Sequence, residues 1–159
     1  TLLAAWRRLC ADPAWDARLV VVGAGAALKR LKGEAADLGD AVAFLGFRRD
    51  VPDVLRACDA LASPVRYEPY GLNVHEALCC GLPALVSRSA GVAERYPPEL
   101  HELLIPDPDD AAGLADRLRL WRGGRERFAS ATAALSDRLR AYTWDDAAAQ
   151  FCRVAGLTS

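Results

Sequence analysis

The chain has 159 residues, enough for one domain, and 52% of them are hydrophobic while 26% are charged. This composition is typical of a globular protein rather than a disordered one, and the formal net charge of −1 indicates neither a nucleic-acid footprint nor a polybasic membrane anchor. No apolar run approaches the roughly 20 residues that a membrane-spanning helix needs. Residues 1–8 lack the pattern of a signal peptide and look like the interior of a longer protein.

The first half of the chain predicts alternating helices and strands. Apolar residues at helical spacing predict a helix at 2–11, which Asp12-Pro13 ends. Residues 18–22 are a short apolar run with three valines, typical of a strand covered on both faces. A glycine turn follows, and the next predicted elements are helix 26–38, strand 42–45, loop 47–50, helix 51–57 and strand 59–63.

The second half continues the alternation and ends in helices. The predicted elements are helix 72–80, strand 83–87, a short helical piece at 93–96, strand 101–105, a helix that follows residues 106–110 and extends to about 121, and helices at 124–142 and 143–155. Two acids lie at the start of the helix that follows residues 106–110, where they interact favourably with the positive end of the helix dipole. Thr143 and Asp146 resemble a capping box at the start of the last helix.

This alternation of strands and helices indicates parallel βαβ units with right-handed crossovers. We therefore predict the α/β class, with a doubly wound, Rossmann-like parallel sheet flanked by helices, extra C-terminal helices and a single domain over residues 1–159. Ligands in such sheets lie beyond the carboxyl ends of the strands. Segments 23–25, 46–48, 66–72 and 87–91 all follow predicted strands, so we expect them to meet at one edge.

Cysteine and histidine content indicates neither a disulfide framework nor a metal site. The cysteines number five, Cys79 and Cys80 are adjacent, and no C-x-x-C pair occurs. Buried, reduced thiols in a cytoplasmic protein are the prediction. His75 and His101 are the only histidines, too few for a histidine-based metal centre, and we expect no metal and no cofactor.

The segment from Tyr67 to Pro83 contains the strongest functional signal. Glu68 lies in a loop marked by Pro69 and Gly71, and Glu76 lies eight positions later, at the start of an apolar helical stretch. Proline fixes its own φ, and glycine adopts backbone angles that a side chain forbids, so the chain can turn sharply into a helix. Two carboxylates beside free helix-terminal amides suit a ligand that carries both sugar hydroxyls and phosphates.

This motif resembles that of the retaining glycosyltransferases of family four, also called glycosyl transferases group one, which have the GT-B fold. The resembling residues are Glu68-x7-Glu76 with Pro-Tyr-Gly-Leu inside it and Glu-Ala-x-x-x-Gly-x-Pro closing it. Residues 19–25, 42–47 and 59–64 also resemble the strands and turns of the family. The five blocks occur in the family's order and cover about residues 1–155.

The resemblance implies roles for the two carboxylates and for the loop between them. The residue matching Glu76 hydrogen-bonds the ribose of the nucleotide, and the residue matching Glu68 contacts the transferred sugar and orients its anomeric carbon. These two are the expected catalytic-site residues. Backbone amides of the loop would face the diphosphate, and the turn after the second strand would border the base. The expected substrate-binding residues are Tyr70, Gly71, Leu72, Asn73, Gly46, Phe47, Arg48 and Gly23.

Simpler interpretations of the carboxylates remain open at this point. With Asn73 as the helix N-cap, Glu76 would be the third helical residue, and the pair would form a capping box without any role in binding. Glu68 could be a solvated acid paired with Arg66.

The other candidate residues also have structural alternatives. Gly23-Ala24-Gly25 supplies only two of the three glycines of a dinucleotide fingerprint, with Leu28 at the third position. Arg48 could be a solvated surface arginine. His75 is expected to point away from Glu76. The four tryptophans match helical or turn positions and are predicted to be core residues rather than sugar platforms.

The chain departs from the family in ways that bear on activity. An arginine and a lysine that neutralise the leaving diphosphate in the family would precede residue 1, as would the acceptor domain and the first strand of the sheet. Ser89-Ala90-Gly91 replaces a common pair of glycines. We therefore expect the isolated domain to bind its donor without efficient transfer.

The expected partners are a UDP-, GDP- or ADP-linked sugar and the missing amino-terminal domain, and no nucleic acid is expected to bind. Any membrane contact would occur only through that missing domain. The expected location is cytoplasmic, and a membrane-peripheral location of the full-length protein is left open. A nucleotide-sugar 2-epimerase, a glycan phosphorylase and a non-catalytic binding module are the alternatives. A phosphorylase needs a pyridoxal phosphate lysine, whereas Lys29 and Lys32 both fall on a predicted helix surface.

Overall fold

The computed structural model describes residues 1–157, in which helices and strands alternate as far as Ile105 and three consecutive helices follow. The helices are α1 (Leu2–Cys10), α2 (Leu28–Glu34), α3 (Val51–Arg56), α4 (Leu72–Cys79), α5 (Ala111–Gly123), α6 (Arg125–Ala141) and α7 (Trp144–Val154). The strands are β1 (Leu19–Val22), β2 (Val42–Gly46), β3 (Leu61–Ser63), β4 (Ala84–Ser87) and β5 (Leu104–Ile105). Three 3-10 segments, Ala36–Ala41, Gly91–Arg95 and Pro98–Leu103, complete the described secondary structure.

All paired strands are parallel, which confirms the predicted α/β class. β1 pairs with β2, with Val20 opposite Ala43, and the order β3-β4-β5 forms the other sheet. Helix α2 connects β1 to β2, and helix α4 connects β3 to β4. Since parallel strands with helical crossovers end at the same edge, the loops after them can share one ligand.

The core joins both sheets to the helices. Every residue of β4 is buried, and Leu19 of β1 and Phe44 of β2 pack against the same apolar cluster as β4. Helix α1 packs on α5, and α4 packs on α6. Full burial of a leucine or phenylalanine side chain contributes about 1.5–3 kcal/mol, so the fully buried Leu85 and Phe128 are strong contributors to stability.

The predicted strand at 101–105 is wrong over most of its length. Residues Pro98–Leu103 form a 3-10 helix, and only Leu104–Ile105 pair with β4. Pro98 favours a helical start because its φ is already fixed at a helical value. Leu100 and Leu103 lie three residues apart, so a helix with three residues per turn buries both.

Two boundaries also differ from the prediction. The predicted helix 26–38 ends at Glu34 and gives way to a 3-10 segment that contains Gly39 with φ of 50°. The predicted strand 59–63 begins only at Leu61, because the Cys58 amide still bonds the Leu55 carbonyl at the end of α3.

The prediction that all four tryptophans are core residues is wrong for Trp144. Trp6 and Trp121 are buried, whereas Trp144 is 91% exposed. Helix α7 begins at Trp144 with the predicted capping box, in which the Asp146 amide bonds the Thr143 hydroxyl. No residue of α7 is buried, so its first side chain has no core to enter.

A hydrogen bond of the Tyr96 side chain links the 3-10 segment Gly91–Arg95 to β4, and its loss is expected to lower the stability of the fold. Its hydroxyl donates to the Ala84 carbonyl at 2.8 Å, and burial raises the pKa of this phenol. We expect Tyr96→Phe to lower the free energy of unfolding by about 1–3 kcal/mol, because a buried carbonyl loses its donor. Tyr67→Phe is the matched control, since Tyr67 is 84% exposed. Equal urea midpoints for the two variants would contradict this account.

Candidate active site

The loop from Glu68 to Leu72 turns sharply into helix α4. Gly71 has φ of 101°, a left-handed value that residues with a side chain rarely adopt. A Cβ on Gly71 would also lie 3.1 Å from Cγ1 of Val92 and 3.4 Å from Cγ of Glu68. Glycine at this position therefore sets the direction of α4 and lets the Glu68 side chain lie over the turn.

The 3-10 segment after β4 holds this loop in place. The Gly91 amide donates to the Glu68 carbonyl at 3.3 Å, and the Val92 amide donates to the Tyr70 carbonyl at 2.7 Å. A Cβ on Gly91 would lie only 2.2 Å from the Pro69 carbonyl oxygen. The segments after β3 and after β4, both predicted to face the ligand, are therefore in direct backbone contact.

The helix start differs from the capping-box alternative. Gly71 is the N-cap and Leu72 the first helical residue, so Asn73 lies inside the first turn and caps nothing. Among residues 1–157 no side chain caps α4, and the first turn of this helix contains no acid. First-turn amides lack an intrahelical acceptor, so the amides of Leu72 and Asn73 remain available for an anion at the positive end of the helix. The side chains of both residues are exposed.

Glu76 lies one residue beyond the first turn of α4 and is exposed. Because the cap is at Gly71, Glu76 cannot be the third residue of a capping box. Within residues 1–157 its carboxylate takes part in no hydrogen bond or ion pair. The structural alternative for Glu76 is therefore removed, and its carboxylate is open to a ligand.

Glu68 is half-buried beside the turn. One of its carboxylate oxygens accepts from the Tyr70 amide at 3.3 Å. The alternative partner, Arg66, instead bonds Asp109 through Nε at 2.8 Å, and this guanidinium lowers the pKa of Asp109. The Arg66–Glu68 pair is thus not formed, and Arg66 instead links the loop to the segment before α5.

Tyr70 and His75 contact each other across the start of α4. The Tyr70 hydroxyl and Nδ1 of His75 are 2.9 Å apart, and both side chains are half-buried. The imidazole of His75 thus contacts the Tyr70 hydroxyl. Tyr70 therefore contributes a fixed backbone to the loop, with its hydroxyl already bonded.

The glycine turns after β1 and β2 meet each other. The Gly23 amide donates to the Gly46 carbonyl at 2.8 Å, and Val22 lies opposite Gly46 in the ladder. Phe47 follows with 71% of its surface exposed, which leaves an aromatic ring at this edge. Arg48 pairs with Asp50 through Nε at 2.8 Å, as expected for the surface alternative.

Other classes of site find little support in the described part of the chain. Among residues 1–157, no cluster of three or more histidine, cysteine, aspartate or glutamate side chains could hold a metal ion. All five cysteines are free and half-buried, and burial raises the pKa of Cys10, Cys58 and Cys79. None of the helices described is both long enough and apolar enough to span a bilayer.

Comparison with known proteins identifies the family. The family described as glycosyl transferases group 1 matches residues 1–121. The chain belongs to this family. A mannosyltransferase of Mycobacterium tuberculosis, the GDP-mannose-dependent alpha-(1-6)-phosphatidylinositol dimannoside mannosyltransferase, is 33% identical over 149 residues, which are 93% of this chain and 38% of the relative. The D-inositol 3-phosphate glycosyltransferase of Stackebrandtia nassauensis is 36% identical, over 82% of this chain and 31% of that relative.

Two solved structures show the same fold over most of this chain. Anabaena HepE in complex with UDP superposes with a TM-score of 0.73 and 25% identity, over 87% of this chain and 39% of HepE. Sucrose-phosphate synthase from Thermosynechococcus elongatus superposes with a TM-score of 0.78 and 23% identity, over 98% of this chain and 42% of that enzyme. The group 1 chain thus spans between 31% and 42% of the length of the four relatives named here.

Sequence reasoning missed two contacts that shape the site. Gly91 lies close to Pro69, which is more than twenty residues away in the sequence. The glycine itself was the only sequence signal of this contact. The Tyr70–His75 contact was also missed, although a spacing of five residues across a helix start places two such side chains close together.

Proposed function

We propose that this group 1 chain binds the nucleotide-sugar donor of a retaining glycosyltransferase, which moves the sugar to a glycan, lipid or small-molecule acceptor. The observation that carries the proposal is the start of α4, which is entered through Gly71 and which no described side chain caps, with Glu68 in the preceding loop and the exposed Glu76 in the helix. Relatives whose names specify GDP-mannose and a solved structure with UDP support a nucleotide-linked donor.

Each part of the site would have one task. The amides of Leu72 and Asn73 would bind the diphosphate and stabilise the charge that develops on it as the glycosidic bond breaks. Glu76 would accept hydrogen bonds from the ribose hydroxyls, and Glu68 would accept them from the transferred sugar. Phe47 and the turn at Gly23 and Gly46 would border the base.

Positioning is the second source of rate in this proposal. Holding the anomeric carbon against an acceptor converts a bimolecular step into one between fixed groups. Glu68 would orient the sugar because its loop is fixed by the Gly91 and Val92 amides. We assign Glu68 a binding role rather than that of a nucleophile. Transfer of the sugar would need an acceptor-binding domain outside these 159 residues. The free thiols of the five cysteines are consistent with the proposed cytoplasmic location.

Calorimetric titration of the chain with UDP, GDP, ADP and their glucose or mannose conjugates tests the proposal. We expect saturable binding of one nucleotide series, with stoichiometry near one, and no efficient transfer of its sugar to a panel of acceptors. Absence of binding by every nucleotide would contradict donor binding by this chain. Transfer at rates typical of enzymes would contradict the need for a further domain.

A further inference from the structure

The carboxylate of Glu68 has one hydrogen-bond partner among the described residues. One of its oxygens accepts from the Tyr70 amide at 3.3 Å, and within residues 1–157 no other group bonds this carboxylate. The direction in which the Tyr70 amide points therefore decides where the carboxylate lies. A residue that fixes this amide would fix the carboxylate as well.

The backbone bonds of the loop hold the carbonyls on either side of this amide rather than the amide itself. The Gly91 amide donates to the Glu68 carbonyl, and the Val92 amide donates to the Tyr70 carbonyl. The peptide unit that joins Pro69 to Tyr70 lies between these two points. Because a peptide unit is planar and turns only at its two flanking α-carbons, this unit can rotate while both carbonyls stay in place.

His75 supplies the restraint that the backbone bonds leave out. Its Nδ1 lies 2.9 Å from the Tyr70 hydroxyl, the two ring centroids are 5.6 Å apart, and both side chains are half-buried. A tyrosine side chain has only two rotatable torsions, so a held hydroxyl also holds Cβ of Tyr70. With Cβ and the carbonyl carbon both held, the bond angles at Cα fix the position of the nitrogen.

Helix α4 thereby positions both carboxylates of the candidate site. Glu76 follows His75 directly on this helix, and Glu68 is linked to the helix through Tyr70 and His75. Groups that are held before a ligand arrives cost less to order when it binds. The separation of the two carboxylates is therefore set by the protein itself.

We propose that His75 is a positioning residue for the transferred sugar, an inference that rests on the proposed donor function. His75 holds the Tyr70 hydroxyl, and the Tyr70 amide in turn holds the Glu68 carboxylate at the sugar. His75 itself would contact neither the sugar nor the nucleotide. Loss of its imidazole would leave Glu68 free to turn away from the sugar.

The diphosphate end of the donor would not depend on this link. The amides assigned to the diphosphate belong to Leu72 and Asn73, which lie in α4. Backbone bonds close the start of this helix, since the amides of Val74 and His75 donate to the Gly71 carbonyl at 3.1 Å and 3.0 Å. A change of the His75 side chain leaves these bonds in place, so sugar binding and diphosphate binding should respond differently.

The test is calorimetric titration of the wild type and His75→Leu with the preferred nucleotide diphosphate and with its glucose or mannose conjugate. We expect the conjugate to bind about threefold to tenfold more weakly to the variant, the effect of losing one hydrogen bond. The affinity for the diphosphate should stay within about twofold of the wild type. Equal weakening of both ligands, or of neither, would overturn the positioning role.

A conservative variant separates positioning from helix stability. His75→Asn keeps a polar atom at the δ position, within reach of the Tyr70 hydroxyl, and should recover most of the affinity for the conjugate that His75→Leu loses. Asparagine is a poorer helix former than leucine, so a role confined to helix stability predicts the opposite order. No recovery in His75→Asn would overturn the proposal.

A double-mutant cycle tests whether the two side chains act as one unit. Tyr70→Phe removes the hydroxyl and should weaken the conjugate as much as His75→Leu does. The double variant should be no weaker than either single variant, because residues that share one interaction are not additive. Additive losses would show that His75 acts independently of Tyr70 and would overturn the proposed link.

His101→Leu is the matched control. His101 is an exposed histidine whose Nε2 lies 3.1 Å from the Tyr96 carbonyl oxygen, away from the loop that carries Glu68. Its loss removes a histidine contact of similar kind and should leave the affinity for both ligands unchanged. A matching loss of affinity for the conjugate in this control would overturn a role specific to His75.

The two proposals fail in different ways. A wild type that binds both ligands, together with a His75→Leu variant that binds them equally well, would overturn the positioning role alone. A wild type that binds no nucleotide would overturn the donor function, and the role of His75 toward the sugar with it.

Discussion

Glu76→Ala is expected to weaken nucleotide binding by about tenfold to a hundredfold. The exposed carboxylate of Glu76 has no partner within the described residues, so it is free to accept hydrogen bonds from ribose. A hydrogen bond to a charged group contributes about 1.5–3 kcal/mol, and each 1.4 kcal/mol is a factor of about ten in affinity. Calorimetric titration of the wild type and the variant with the preferred nucleotide measures the change.

Two controls separate binding from folding in this experiment. Glu99→Ala removes an exposed carboxylate from a different segment and should leave nucleotide affinity unchanged. The thermal midpoint of Glu76→Ala should match the wild type, because the helix cap is at Gly71 rather than at Asn73. A variant that binds normally, or one that loses stability along with affinity, would count against the assigned role.

Gly91→Ala is expected to give the largest structural effect of any single added methyl group at the site. Its Cβ would lie 2.2 Å from the Pro69 carbonyl oxygen and 3.2 Å from Cα of Tyr70, both backbone atoms that cannot rotate away. Over-packing of this kind costs about 1–3 kcal/mol. Relieving it must move the Glu68–Gly71 loop, so we expect nucleotide affinity to fall as well. Urea denaturation and calorimetric titration measure the two effects.

Gly33→Ala is the matched control for this variant. Gly33 lies on the exposed surface of α2, and an added Cβ would meet no atom within 4 Å. Alanine in a helix is favoured over glycine by about 0.5–1 kcal/mol, so this variant should be slightly more stable and bind normally. If Gly91→Ala behaved like Gly33→Ala, the loop contact would not constrain the site.

The parallel α/β architecture could be predicted because its signals are local. Valine runs such as residues 19–22, bounded by glycine, are read from sequence alone, and all five strands were placed, four of them closely. The fifth failed because Pro98 and the buried pair Leu100 and Leu103 satisfy a 3-10 helix as well as a strand pattern. The prediction that Trp144 is buried was wrong because a large aromatic side chain is buried only where a core lies within reach.

The loop and helix of the candidate site could be predicted from the sequence, whereas the contacts within them could not. The spacing of Glu68 and Glu76 and the glycine between them suggested the loop and helix. Whether Glu76 belonged to a capping box depended on which residue begins α4, and helix boundaries are the least certain part of such predictions. The partner of Arg66 was not predictable, because Asp109 is 43 residues away in sequence.

A crystal structure of the chain with its preferred nucleotide diphosphate tests the central claim most directly. The account predicts the diphosphate at the amides of Leu72 and Asn73, the ribose hydroxyls within hydrogen-bond distance of the Glu76 carboxylate, and the base beside Phe47. A nucleotide bound elsewhere, or bound at α4 without contact to Glu76, would contradict the assignment of this edge as the donor site.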